Sequence, residues 1–259
     1  MPVVRTTDTE IHFETEGDPR LPALMFSNSL GTDWRMWQLQ VNSLRGQFRM
    51  IRYDTRGHGR SAAPPGPYSL AQLGQDALAV LDHLDIERAH FCGISMGGAT
   101  AQWLGIHARQ RLRKLVIANS AARIGTEAGW RERAALARRE GLDGIAAGAP
   151  GRWFTPDFAT QDPLTVTALA ETLRAGSAEG YAACCEALAL ADLRAQLGEI
   201  RVPTLIIAGA ADPVTTVADA QAMREAIPDA RLVTLAASHI SNIEAAPAFS
   251  EALSRFLAA

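Results

Sequence analysis

A chain of 259 residues with 47% hydrophobic residues can bury a large core and has the length of a single α/β domain carrying an insertion. Its formal net charge of −3 offers no basic field for nucleic acid or an anionic membrane surface, and no apolar run reaches the length of a membrane span. Residues 1–20 lack the basic, apolar and small-residue order of a signal peptide. Cys92 and the adjacent Cys184 and Cys185 do not suit a disulfide framework, so the protein is expected to be soluble and cytoplasmic, with reduced, packed thiols.

Val3 to Glu16 alternates apolar and polar residues, the pattern of an antiparallel hairpin at a sheet edge, with His12 expected to point to solvent. Leu24 to Phe26 is a short apolar strand running into Asn28-Ser29-Leu30-Gly31. Trp34, Met36 and Trp37 open a helical stretch in which Trp37 belongs to the core, while Trp34 and Arg35 lie nearer the loop and are expected to face a pocket. Met50 to Tyr53 is the next strand. It ends in Asp54-Thr55-Arg56-Gly57-His58-Gly59-Arg60-Ser61, whose glycines and mixed charges suit a tight hydrogen-bonded loop that His58 stabilises. Leu70, Leu73, Ala77, Val80, Leu81 and Leu84 are spaced for one face of a helix.

His90-Phe91-Cys92 leads into Gly93-Ile94-Ser95-Met96-Gly97, a G-x-S-x-G pattern between a strand and a helix over 99–107. Such a turn holds one hydroxyl clear of its surroundings. The glycines are needed because Cβ atoms two residues either side of a strained serine would collide. The following helix directs free N–H groups and its positive end at an oxyanion formed beside Ser95. Leu112 to Ala118 is a further buried strand, and the regular alternation of strand and helix predicts a parallel sheet covered on both faces.

From residue 121 to 190 no strand-like run occurs. Short alanine-rich amphipathic stretches are separated by Gly and Pro, which predicts a helical cap over 121–190 inserted into a core made of residues 1–120 and 191–259. Trp130, Trp153, Phe154 and Phe158 concentrate aromatics there; most of these pack the cap onto the core and one or two line a pocket. Strand character returns at Thr204 to Ala208 and at Arg231 to Leu235, and a closing helix follows from about 247 to 257. Asp212 stands just past the first of these strands and His239 just past the second, at the edge where open α/β sheets carry their sites.

Ser95, Asp212 and His239 thus occur in the order nucleophile, acid, base, each at a strand end. A serine hydroxyl is a poor nucleophile until a base takes its proton. His239 would do so, and Asp212 would fix the tautomer and stabilise the imidazolium.

FSNSLGTDWRMW (26–37), RYDTRGHGRSAAPPGPY (52–68), CGISMGGATAQWLG (92–105) and AGAADPVTT (208–216), together with this triad, make the chain similar to the α/β-hydrolase superfamily. More narrowly it resembles the 3-oxoadipate enol-lactonases of aromatic catabolism; Asn28-Ser29 and the run APPGPY are the more particular features. The resemblance implies the α/β-hydrolase fold and hydrolysis of a small carboxylated enol-lactone through an acyl-enzyme. It implies an oxyanion hole from the amides of Leu30 and Met96, and no metal or organic cofactor. A substrate carboxylate asks for an arginine near the pocket: Arg35, Arg123 and Arg131 are candidates, with Trp34 and Trp130 as further substrate contacts. Other carboxylesterases, cofactor-free perhydrolases and carbon–carbon bond hydrolases share the triad, as can a ligand-sensing binding protein on the same scaffold. Dehalogenases and epoxide hydrolases of this fold use an aspartate nucleophile, against which Ser95 argues.

Overall fold

Eight strands form one sheet in the computed structural model, which describes residues 2–258. Met1 and Ala259, the outer ends of the expected core, lie outside the described residues. The strands are β1 (Val3–Arg5), β2 (Glu10–Glu16), β3 (Ala23–Ser27), β4 (Arg49–Tyr53), β5 (Ala89–Ile94), β6 (Leu112–Ala118), β7 (Thr204–Gly209) and β8 (Arg231–Leu235), in the spatial order β1-β2-β4-β3-β5-β6-β7-β8. β1 pairs antiparallel with β2, and β2 antiparallel with β4; all later pairings are parallel. β3, β5 and β7 are buried at every position, as a parallel sheet with both faces covered requires.

The helices are α1 (Gln38–Ser43), α2 (Leu70–His83), α3 (Met96–His107), α4 (Glu127–Glu140), α5 (Asp143–Ala147), α6 (Pro150–Trp153), α7 (Pro156–Gln161), α8 (Pro163–Arg174), α9 (Ala178–Leu190), α10 (Val217–Ala226), α11 (Ser241–Glu244) and α12 (Ala246–Ala258). From β3 the chain steps to β4 on one side, and from β5 to β6 on the other. Right-handed crossovers therefore put α1 and α3 on opposite faces; α1 packs with α12, and α2 with α3. Between β3 and β5 the direction of winding reverses, which opens a crevice at the carboxyl ends of these strands. Ser95 stands at that crevice.

Trp37 is fully buried, stacked on Phe26 with ring centroids 4.7 Å apart and tilted against Phe249 at 6.1 Å. Its indole N–H donates to Asn28 Oδ1 at 2.9 Å, so the ring that fills the core also holds the loop after β3. Burying one such side chain stabilises the fold by roughly 1.5–3 kcal/mol.

Between β6 and β7 the described residues contain the six helices α4 to α9 and no strand. Hydroxyls of Thr126, Thr155 and Ser177 accept amide N–H groups at the starts of α4, α7 and α9, and Pro150, Pro156 and Pro163 occupy first turns where no N–H is needed. α4 and α9 pack along each other.

One edge expectation is corrected. His12 is buried, because residues 54–61 close over it: the Asp54 carboxylate lies 3.4 Å from its ring, and the loop is fastened alongside by the Asp54 amide, which donates to the His12 carbonyl oxygen at 3.0 Å, and by Ser61 Oγ, which accepts the His12 amide at 2.9 Å.

Candidate active site

Ser95 has φ +56° and ψ −114°, a backbone conformation that costs a non-glycine residue roughly 1–3 kcal/mol. The strain is held by contact on both sides. A Cβ on Gly93 would stand 1.9 Å from the Gly97 carbonyl oxygen, and one on Gly97 would stand 2.2 Å from that of Ser27. The Ser95 amide donates to the Ala118 carbonyl oxygen at 2.9 Å, and Ser120 Oγ donates to the Ser95 carbonyl oxygen at 2.9 Å. Only a turn without side chains at 93 and 97 can bring the start of α3 this close to β5 and to the end of β3.

The loops after β7 and β8 bring Asp212 and His239 to the same hydroxyl. His239 Nε2 lies 2.8 Å from Ser95 Oγ, and His239 Nδ1 lies 2.8 Å from Asp212 Oδ2. With the ring proton on Nδ1 donated to the carboxylate, Nε2 is left to accept from the serine. Burial alone would raise the Asp212 carboxyl, but hydrogen bonds from His239, Asn119 and Thr215 outweigh it and hold the group below its usual range. Asp212 Oδ1 accepts the amides of Val214 and Thr215; Oδ2 also accepts Thr215 Oγ1 at 2.8 Å and Asn119 Nδ2 at 3.0 Å. Asn119 follows β6, has φ +41°, and is itself held by the Ser241 hydroxyl, which donates to its Oδ1. Sequence reasoning missed Asn119, although it is a polar residue just past a strand end, the same signal that singled out Asp212.

Opposite the histidine, the loop after β3 runs along the start of α3. Gly97 N donates to the Asn28 carbonyl oxygen at 3.0 Å, and Asn28 Nδ2 donates to the Tyr53 carbonyl oxygen at 2.8 Å. His58 Nδ1 lies 3.2 Å from the Arg56 carbonyl oxygen within the loop it was expected to stabilise, and Gly31 N donates to its Nε2 at 2.9 Å, so the ring also ties that loop to the one after β3. Burial pushes the His58 imidazolium down, so the ring stays neutral and Nε2 remains an acceptor. Leu30 faces the cavity containing Ser95, and Met96 is the first residue of α3, where a helix amide has no partner within the helix.

Residues 22–246 match the family model for the alpha/beta hydrolase fold. The chain belongs to that family. The hydrolase is 53% identical to 3-oxoadipate enol-lactonase 2 of Acinetobacter baylyi over 95% of its own length and 92% of the relative's, and 46% identical to enol-lactonase 1 of the same organism over 94% and 91%. Its fold superposes on the crystal structure of the enol-lactonase from Burkholderia xenovorans LB400 with a TM-score of 0.98, at 43% identity over all of both chains.

The cavity of the hydrolase next to Ser95 and His239 is walled by Leu30, Trp130, Trp153, Leu173 and Tyr181, and two arginines reach it, Arg133 and Arg152. Trp130 is therefore where it was expected. Trp34 and Arg35 are not. Trp34 is covered by the Arg52 guanidinium, 4.5 Å above its ring, and Arg35 forks onto Asp33 in a separate groove beside Thr32 and Leu39. Of the other candidate arginines, Arg123 is engaged by Asp192 and Arg131 by Glu127, both away from this cavity. The missed pair differs in its partners. Arg133 Nε donates to the Tyr181 hydroxyl at 2.7 Å and Arg152 to the Ile145 carbonyl oxygen at 3.2 Å; among the described residues neither meets a carboxylate. Burial, with the nearby charge of Arg133, depresses the Arg152 guanidinium, which is the mark of a cation short of a counterion.

Arg133 was legible in principle. On α4 it stands three residues beyond Trp130 and so shares its face, whereas Arg131 is turned about 100° away.

Proposed function

We propose that the chain hydrolyses 3-oxoadipate enol-lactone to 3-oxoadipate, with Ser95 as nucleophile, His239 as base, Asp212 as its orienting acid and the amides of Leu30 and Met96 as oxyanion donors. The observation that carries the reading is the pairing of a serine–histidine couple with two arginines lacking carboxylate partners in one cavity. The similarity to named enol-lactonases supports the substrate.

His239 takes the Ser95 proton as Oγ attacks the lactone carbonyl, and the resulting oxyanion is met by backbone N–H groups that need no reorganisation. The ring C–O bond then breaks. The enol oxygen departs with a proton from His239 and tautomerises to the ketone, a departure that needs less acid assistance than that of an alkoxide. Water, deprotonated by His239, attacks the acyl-enzyme and releases the acid, with the proton returned to Ser95. Arg133 and Arg152 hold the carboxylate that the lactone carries outside its ring; such charge-assisted contacts contribute about 1.5–3 kcal/mol each.

The helices of residues 121–190 act in this reading as a cap that supplies Trp130, Arg133, Arg152 and Trp153 and excludes water. Among the described residues no helix is long and apolar enough to cross a membrane, and the three cysteines are free and buried, which supports a cytoplasmic placement. Purified protein given the enol-lactone should consume it catalytically and yield 3-oxoadipate. Stoichiometric binding without turnover would instead identify a sensor on the hydrolase scaffold.

A further inference from the structure

Glu244 stands five residues beyond His239 and takes no part in the steps above. It is not the acid of the triad, since His239 Nδ1 meets Asp212. Its carboxylate instead bridges two segments of the fold. Oε2 accepts the Ser238 amide at 2.8 Å, while Oε1 accepts the Thr155 amide at 3.3 Å and also the Thr155 hydroxyl. On the far side of His239, the Ile240 amide donates to the Trp153 carbonyl oxygen at 2.9 Å. Both chain neighbours of His239 are thus tied to residues 153–155, the stretch that leaves α6 directly after Arg152.

The other supports of this loop act on its first half. The Ala211 amide donates to the Ala237 carbonyl oxygen at 3.0 Å, and Asn119 Nδ2 to that of Ser238 at 3.1 Å. Of the two amides that fix how the backbone presents the imidazole, that of 240 is met directly by Trp153, and that of 238 by Glu244, whose other oxygen holds Thr155. A carboxylate suits the bridge, because it is an acceptor with two oxygens and here meets three donors from two segments.

We propose that Glu244 is a positioning residue that fastens the His239 loop to residues 153–155, so that the placement of the imidazole follows the seating of Arg152 and Trp153 over Ser95. The proposal rests on Ser95 and His239 being nucleophile and base. Contact energy gained where Arg152 meets a substrate carboxylate is then expressed partly as alignment of the base, and so in kcat as well as in KM. A displacement of about 1 Å in a reacting group can cost roughly a hundred-fold in rate.

The test measures kcat and KM per folded molecule for Glu244→Gln, Glu244→Ala, Thr155→Val and Thr155→Ser, on the enol-lactone and on an uncharged aryl acetate. Glu244→Gln, left with one acceptor oxygen, should lower kcat on the lactone roughly ten- to a hundred-fold with little change in KM. It should also narrow the gap in kcat between lactone and aryl acetate. Thr155→Val should move kcat the same way by less, and Thr155→Ser should restore it. Should Glu244→Ala fail to fold, the Gln and Val variants carry the test. Unchanged kcat in Glu244→Gln, a loss confined to KM, or a wild-type Thr155→Val beside a slow Glu244→Gln would each overturn the link. Ser95→Ala on the same substrates separates the two readings: activity there removes the serine mechanism itself, whereas inactivity there with normal kcat in Glu244→Gln removes only the positioning role.

Discussion

The sheet end that carries Ser95, Asp212 and His239 and the helices that face it deliver side chains in different ways. At the sheet end, position is set by backbone. Ser95 is held at φ +56° by a turn too crowded for any side chain at 93 or 97, and Asp212 is locked by bonds from four residues. Across the cavity, Trp130 and Arg133 from α4 and Arg152 from α6 reach the same point on long side chains, each anchored by a bond to a carbonyl oxygen or a phenol. In the proposed mechanism the first region fixes the chemistry and the second selects what enters. Substitutions in the first should change kcat; in the second they should change KM and preference between substrates, and reach kcat only through the Glu244 bridge.

The sharpest break of that comparison is Ser95→Ala, which should lower kcat on the order of a million-fold while leaving the thermal melt close to wild type. Residual turnover above a tenth of wild type would remove the serine from the mechanism. Asp212→Asn keeps the shape but loses the charge that orients His239, and a fall of about ten thousand-fold in kcat is expected. Initial rates at saturating lactone check both. On the facing side, Trp130→Ala should raise KM for the lactone several-fold, more than it lowers kcat, because its ring walls the cavity and touches no reacting atom. The reverse split in steady-state kinetics would place Trp130 in the chemistry.

The smallest effect concerns stability far from either region. His90, at the opposite end of β5 from Ser95, is held down to about 4 by burial and by the charges of Lys114 and Arg113. In the unfolded chain an imidazole titrates near 6.5, so as pH falls below about 6.5 the unfolded state takes up a proton that the folded state refuses. Stability should decline down to about pH 4 and level off there as His90 titrates in the folded state. His58, whose imidazolium is also disfavoured by burial, acts in the same direction. Melting temperatures across this range should fall less steeply in His90→Gln; an unchanged slope would exclude His90 as a contributor.

The same contrast explains what could be read before the structure. Ser95, Asp212 and His239 were legible because strand ends converge on one edge of a parallel sheet, so a residue's place in the chain already gives its place in space. Arg35 misled because nearness to the loop after β3 says nothing of rotamer or partner, and Asp33 two residues earlier captures its guanidinium. Arg133 and Arg152 depend on how α4 and α6 rest on the core, which the local pattern leaves open, although the helical face shared by Trp130 and Arg133 was visible. His12 failed for a related reason: a period of two assigns faces to a strand, but the closing of residues 54–61 over His12 is a tertiary event.

The central claim is that a triad and an arginine pair together make an anionic lactone the preferred substrate. The most direct test is kcat/KM for the enol-lactone against an uncharged aryl acetate, in the wild type and in Arg133→Gln and Arg152→Gln. The wild type should favour the lactone, and each substitution should lower kcat/KM for the lactone roughly ten- to a hundred-fold while changing that for the aryl acetate far less. Equal efficiencies in the wild type, or a preference for the neutral ester, would contradict the claim.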